Sequence, residues 1–138
     1  VALAAFVVSV AVAVYTVWRA DKTASAGALI SLQVALHDAW SRFLKEVSAD
    51  GRLFEFAELL NLLETGCALY SNRSFTNVPR NLLEDYLVSV LKHLAGNDIA
   101  RADLRSLAES PDTFTHIKEF ELQHRASISL SNPLFIVV

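Results

Sequence analysis

Methionine is absent from the 138 residues, cysteine occurs once, and there are only three prolines and four glycines. The lack of any methionine leads to the expectation that the sequence omits its true start, through processing or truncation. A single thiol, Cys67, can form no intrachain disulfide, which excludes a disulfide-stapled secreted scaffold and agrees with a reducing compartment. It lies in a Leu-rich helical pattern, where a thiol acts as a small buried hydrophobe. The few glycines form no phosphate cradle, so a Walker loop and a dinucleotide fingerprint are excluded. No Ser/His/Asp order and no Cys/His arrangement stands out either. The sequence therefore argues against an enzyme and implies no cofactor.

Charge is missing from residues 1–18, which also hold no Gly or Pro, so the 12 basic and 15 acidic side chains all lie beyond them. At ~1.5 Å per residue, a helix over 1–20 reaches roughly 30 Å, about the hydrocarbon thickness of a bilayer. The run is read as a transmembrane helix. A secretory signal peptide competes with that reading, because Ala24, Ser25 and Ala26 resemble a small-residue cleavage site. Such a peptide opens with a basic stretch and has a shorter apolar region, however, and here Arg19, Asp21 and Lys22 crowd the supposed cleavage region. A core helix apolar on every face would need a larger protein around it. Trp18 and Tyr15 suit the headgroup level, and Arg19 with Lys22 forms a basic edge, which places the rest of the chain on the cytoplasmic side of the inner membrane.

The remainder, about 120 residues, suffices for one compact domain. Its balanced charge offers no broad basic face for duplex nucleic acid. Leu29, Leu32, Leu36, Trp40, Phe43 and Val47 recur at spacings of three and four and predict an amphipathic helix, ended by Asp50 and Gly51, with Gly27 as the flexible point toward the membrane. A second helix over 53–70 carries Phe56, Leu60, Leu63 and Cys67 on one stripe. Pro79 suits the first position of a third helix, which buries Leu83, Tyr86, Leu87, Val90 and Leu94 and closes at Gly96 and Asn97. Asp98 is expected to cap a short helix with Leu104 and Leu107, and Ser110, Pro111 and Asp112 to start a last one with Phe114, Ile117 and Phe120. The expected fold is thus all-α: a transmembrane helix over 1–20, a cytoplasmic bundle of about five helices over 21–125, and a tail over 126–138 whose final residues, 134–138, are apolar.

Three constellations bear on function. Ala5, Ser9 and Ala13 repeat every four residues and give the expected span a small-residue face of the sort that lets helices approach closely in lipid; an Ala- and Val-rich helix also produces such spacing by chance. The hydroxyls of Ser9, Tyr15 and Thr16 are thin material for an ion pathway unless several copies surround a pore. The polar stretch over 71–81, SNRSFTNVPRN, gathers Arg73, Ser74, Phe75, Thr76 and Arg80 at a helix start, where free N–H groups and guanidinium forks favour an anion such as a phosphate and Phe75 is a candidate to stack on a base. A polar turn whose arginines pair with surface acids explains the same residues. Glu121 and His124 form one E-x-x-H pair, but a di-metal helix bundle needs two such pairs plus further carboxylates. An exposed or helix-capping role is therefore preferred for them, and no metal is implied.

The stretch FEFAELLNLLETGCALYSNRSFTNVPRNLLEDYLVSVLKHL covers about a third of the chain. Through Asn61-Leu62-Leu63-Glu64, the polar turn near Asn72 and the Leu/Tyr-rich segment 82–94, it resembles a family of small, uncharacterised bacterial membrane proteins. That resemblance implies a single apolar helix ahead of a helical cytoplasmic domain, with no defined activity. Asn61 and Glu64, three apart on one helical face, are expected to specify a helix contact. Two functions remain open at this level. The first is a membrane-anchored assembly module, homo-oligomeric or docked on a membrane-protein partner. The second is an oligomeric membrane effector or channel, of use in antiphage defence, gated by a nucleotide or single-stranded oligonucleotide.

Overall fold

The computed structural model describes the backbone of residues 2–107 and 112–128 and the side chains of 24–107 and 112–128. Among these residues all regular structure is helical: α1 (Ala2–Lys45), α2 (Ala49–Ser71), α3 (Asn77–Ala95), α4 (Asp98–Leu107), α5 (Thr115–Gln123) and α6 (Arg125–Ile128). Among the described residues no helix is long and apolar enough to cross a membrane. The expected span over 1–20, with its Ala5, Ser9 and Ala13 face, lies outside the residues whose side chains are described, as do residues 129–138 of the expected tail.

α2 is the centre of the bundle and packs against α1, α3, α4 and α5, while α6 lies on α3. Its buried stripe is Phe56, Leu59, Leu60, Leu63, Gly66, Cys67 and Tyr70. The period of three and four places these on the side facing α1 and α3. From α1 come Leu29, Leu32, Leu36, Ala39 and Phe43, and from α3 Leu83, Leu87, Leu91 and Leu94. Trp40, Phe43 and Phe56 stack in succession, with centroids 5.6 and 5.1 Å apart, at the end of the α1–α2 pair. Gly66 of α2 faces both Leu87 of α3 and Leu32 of α1. A Cβ there would lie 3.1 Å from Leu87 Cδ2 and 3.3 Å from Leu32 Cδ2, so a larger side chain would push both neighbours outward.

Five boundaries differ from the sequence expectation; one is the last helix, expected to start at Ser110, Pro111 and Asp112, which begins at Thr115, where the Glu64 carboxylate of α2 accepts its first N–H groups. The α1–α2 break falls over 46–48 instead of at Asp50 and Gly51. Ser48 caps α2 by accepting the Gly51 N–H at 3.1 Å, and the Glu46 carboxylate accepts from both the Ser48 N–H and hydroxyl. Gly51 belongs to the first turn because a Cβ would lie 2.6 Å from Ser48 Oγ; its smallness makes room for the cap and does not end a helix. At Gly27, the expected flexible point, α1 continues unbroken, and a Cβ there would meet nothing within 4 Å. α3 starts two residues before Pro79, which still falls in the first turn, where a missing N–H breaks no helical bond. Asn97, not Asp98, caps α4: its side-chain oxygen accepts the Ala100 N–H at 3.0 Å. Val47, placed on the core stripe by its spacing, is 93% exposed because the helix has already ended.

Candidate functional site

The polar turn between α2 and α3 divides its sequence candidates between core and surface. Phe75, expected to be available for stacking, is 3% exposed and belongs to the hydrophobic core. Its ring therefore holds the turn down and cannot present a face to a base. The turn is closed by the Ser74 N–H donating to the Leu69 carbonyl at 3.1 Å and the Arg73 N–H to the Tyr70 carbonyl at 3.2 Å, with Arg73 left-handed at φ 53°. Arg73, Ser74 and Thr76 are exposed. Arg80 is turned away from them, its guanidinium 4.2 Å above the centre of the Tyr70 ring. Arg80 is therefore engaged on an aromatic ring, while Arg73 is exposed.

Arg80 instead borders a polar cluster joining the C-terminal end of α2, the first turns of α3 and the end of α5. The Tyr70 hydroxyl donates to Glu84 Oε2 at 2.7 Å, and His124 Nε2 lies 3.2 Å from Glu84 Oε1. The hydrogen bond from Tyr70 holds the Glu84 carboxyl below the ordinary glutamate range, opposed by burial and assisted by His124 and the Arg80 charge. Burial, and then the bond to Glu84, push the Tyr70 phenol up. The rings pack as well: Phe120 stacks on His124 at 4.0 Å, and Tyr70 meets Phe120 edge-on at 5.2 Å. The spacing of Arg80 and Glu84 by four residues, just after Pro79, was the sequence signal for one shared helical face. Nothing local in the sequence tied either residue to Tyr70 or His124.

A second carboxylate bridges α2 and α5. Glu64 Oε1 accepts the His116 N–H at 3.0 Å and Oε2 the Ile117 N–H at 2.9 Å, while His116 Nδ1 lies 2.8 Å from Oε1. A side chain of one helix thus caps the N-terminus of another, satisfying N–H groups that have no partner within α5. Burial opposes ionisation of Glu64 most strongly, yet these bonds together hold its carboxyl below the ordinary value. The expected helix contact through Glu64 is this cap, whereas Asn61 is exposed. Two ion pairs complete the polar framework: Arg52 with Asp103 at 2.9 Å ties α2 to α4, and Arg42 with Glu55 at 2.8 Å ties α1 to α2.

Of the E-x-x-H residues, expected to be exposed or to cap a helix, Glu121 is buried and His124 is the C-cap of α5. His124 is engaged at both ring nitrogens, with Nδ1 2.9 Å from the Phe120 carbonyl and Nε2 on Glu84. Glu121 is 5% exposed and has interactions of its own. Among the described residues, no three His, Cys, Asp or Glu side chains are grouped to hold a metal ion. The Cys67 thiol is buried, and burial pushes its pKa upward, so it stays a neutral core group.

Several apolar side chains are exposed among the described residues, Phe54, Val78, Leu82, Ile99 and Leu122 among them, and a further group lies on α1. The face of α1 opposite its core stripe exposes Ile30 and Val34, at 60% and 55%, with Leu44 at 58% farther along and Gly27 open beside Ile30. Spacings of three and four put Gly27, Ile30 and Val34 on one side of the helix, where the exposed His37 and Asp38 follow before Ser41 and Leu44. No protein-family model, no curated protein and no solved structure matches the chain.

Proposed function

We propose that the chain is a non-catalytic, membrane-anchored assembly module that self-associates along α1, with its helical bundle on the cytoplasmic side. The observation that carries this reading is the continuity of α1, which runs from Ala2 to Lys45 without a break. The uncharged sequence over 1–18 and the unpartnered stripe at Gly27, Ile30 and Val34 therefore share one helix axis. At ~100° per residue, position 27 repeats the azimuth of position 9, and position 34 lies within ~20° of position 5. The small-residue positions Ala5, Ser9 and Ala13 and the exposed apolar positions thus form one line along the helix. A second copy in the same bilayer carries the same line from lipid into water, in the same register, so it is the partner that matches both halves at once.

The ligand-gated effector receives less support. Its stacking residue, Phe75, is buried, and Arg80 is occupied on Tyr70. Labelled single-stranded oligonucleotides should bind the wild type and an Arg73→Ala/Arg80→Ala double variant equally weakly. Binding abolished by the double substitution would restore that reading.

The test of assembly is the association state of the detergent-solubilised chain before and after Ile30→Glu and Val34→Glu. Both side chains point away from the core, so the bundle should keep its stability. Burying one Ile or Val side chain contributes about 1.5–3 kcal/mol, and ~1.4 kcal/mol is a factor of ten in affinity. Each substitution should therefore weaken self-association by roughly tenfold or more. Unchanged association in both variants would show that another surface is used.

A further inference from the structure

His124 stands at the junction of α5 and α6, with its ring between two groups that can only accept. Nδ1 lies 2.9 Å from the Phe120 carbonyl oxygen and Nε2 3.2 Å from the Glu84 carboxylate. A neutral imidazole has one N–H and one lone pair. Whichever nitrogen keeps the proton, the other turns its lone pair toward an oxygen lone pair, and one of the two contacts becomes repulsive. Only the doubly protonated ring donates to both.

We propose that His124 is a proton-operated clasp: the imidazolium, and not the neutral ring, fastens the α5–α6 junction to α3. What it fastens follows from the backbone. The Ser127 and Ile128 N–H groups both donate to the His124 carbonyl, at 2.9 and 3.0 Å, and form the single turn of α6. Ile128 is 6% exposed, and α6 lies on α3. A turn of four residues has little stability of its own, so its attachment depends on this docking.

Among the described residues, aromatic and charged groups of α2 and α3 face the ring. From α2 comes Tyr70, its ring 5.7 Å from that of His124 and its hydroxyl on Glu84. From α3 come Glu84 itself and Arg80, which sits over Tyr70. On its own stretch of chain, Glu121, three residues before His124, is buried and has an interaction of its own, and Arg125 is exposed. Tyr70 donates to Glu84 and, with Arg80, keeps this carboxyl ionised at neutral pH. Glu84 therefore has no proton to give Nε2, and the second ring proton must come from solvent. The clasp is closed while the imidazole holds both protons and opens when it gives the second one up to solvent.

The test is residue-resolved NMR on the full chain in detergent, following the His124 ring nitrogens and the hydrogen exchange of the Ile128 amide from about pH 5.5 to 8. Protection of Ile128, corrected for intrinsic exchange, should fall roughly tenfold, the loss expected for one charge-assisted hydrogen bond at a partly exposed site. The fall should share its midpoint with the loss of the second ring proton. In Glu84→Gln the amide can donate to the neutral ring, so protection of Ile128 should become independent of pH. Different midpoints in the wild type, pH-independent wild-type protection, or an unaltered pH dependence in Glu84→Gln would each overturn the clasp. The readout is specific to His124, because His116 pairs with Glu64 at the opposite end of α5.

Discussion

Single side chains in this bundle act across helices more than along them. Glu64 is the plainest case, because its carboxylate caps a helix fifty residues farther along the chain. A carboxyl held below its ordinary value of 4.5 contributes stability that is present above that pH and is lost as pH falls through the lower folded value. Glu64→Gln should therefore lower stability by about 1–2 kcal/mol at neutral pH and flatten the acid limb of the stability profile, read from urea midpoints. Gly66 offers a steric counterpart. Gly66→Val should cost about 1–3 kcal/mol in the same measurement, because Leu87 and Leu32 stand against the missing Cβ. Neither role was legible in the sequence as such. The spacing of Asn61 and Glu64 announced a helix contact, but its partner depends on where α5 docks, and a glycine required by neighbouring helices has no local signature. Cys67 was legible, because a thiol within a Leu-rich helical stripe is buried by the same periodicity that buries its neighbours.

At the scale of elements, periodicity placed the helices and capping chemistry placed their ends. Leu29, Leu32, Leu36, Phe56, Leu63, Leu83, Leu87, Ile117 and Phe120 are all core residues, as three- and four-residue spacing demands. The ends were misplaced where the cap came from an unexpected residue. Ser48 took the role that kept Gly51 inside α2, and Glu64 replaced any local cap at the start of α5. The turn over 71–81 failed differently: its polar composition concealed Phe75, which anchors it to the core. Phe75→Ala should destabilise the bundle by about 3–5 kcal/mol, whereas Arg73→Ala should change stability by less than ~0.5 kcal/mol, both measured by denaturant unfolding. Within α1, Gly27 lies in a continuous helix with open space at its Cβ. Gly27→Ala should therefore raise the thermal midpoint, through a gain of up to ~1 kcal/mol in helix propensity. A lowered midpoint would mean that the helix needs to bend there.

For the whole molecule, the polar framework and the apolar core divide the work. The core around α2 holds the three long helices together. Arg52 with Asp103, Glu64 with the start of α5, and Glu84 with Tyr70 and His124 attach the smaller elements to it. The outward side of α1 is one of the exposed apolar surfaces among the described residues, and it is on the same helix as the uncharged N-terminal sequence. Sedimentation of the detergent-solubilised chain over a range of protein-to-detergent ratios tests the proposed assembly most directly. The predicted result is an oligomer that dissociates on dilution and is shifted to monomer by Ile30→Glu and Val34→Glu. A monomer at every ratio would contradict it.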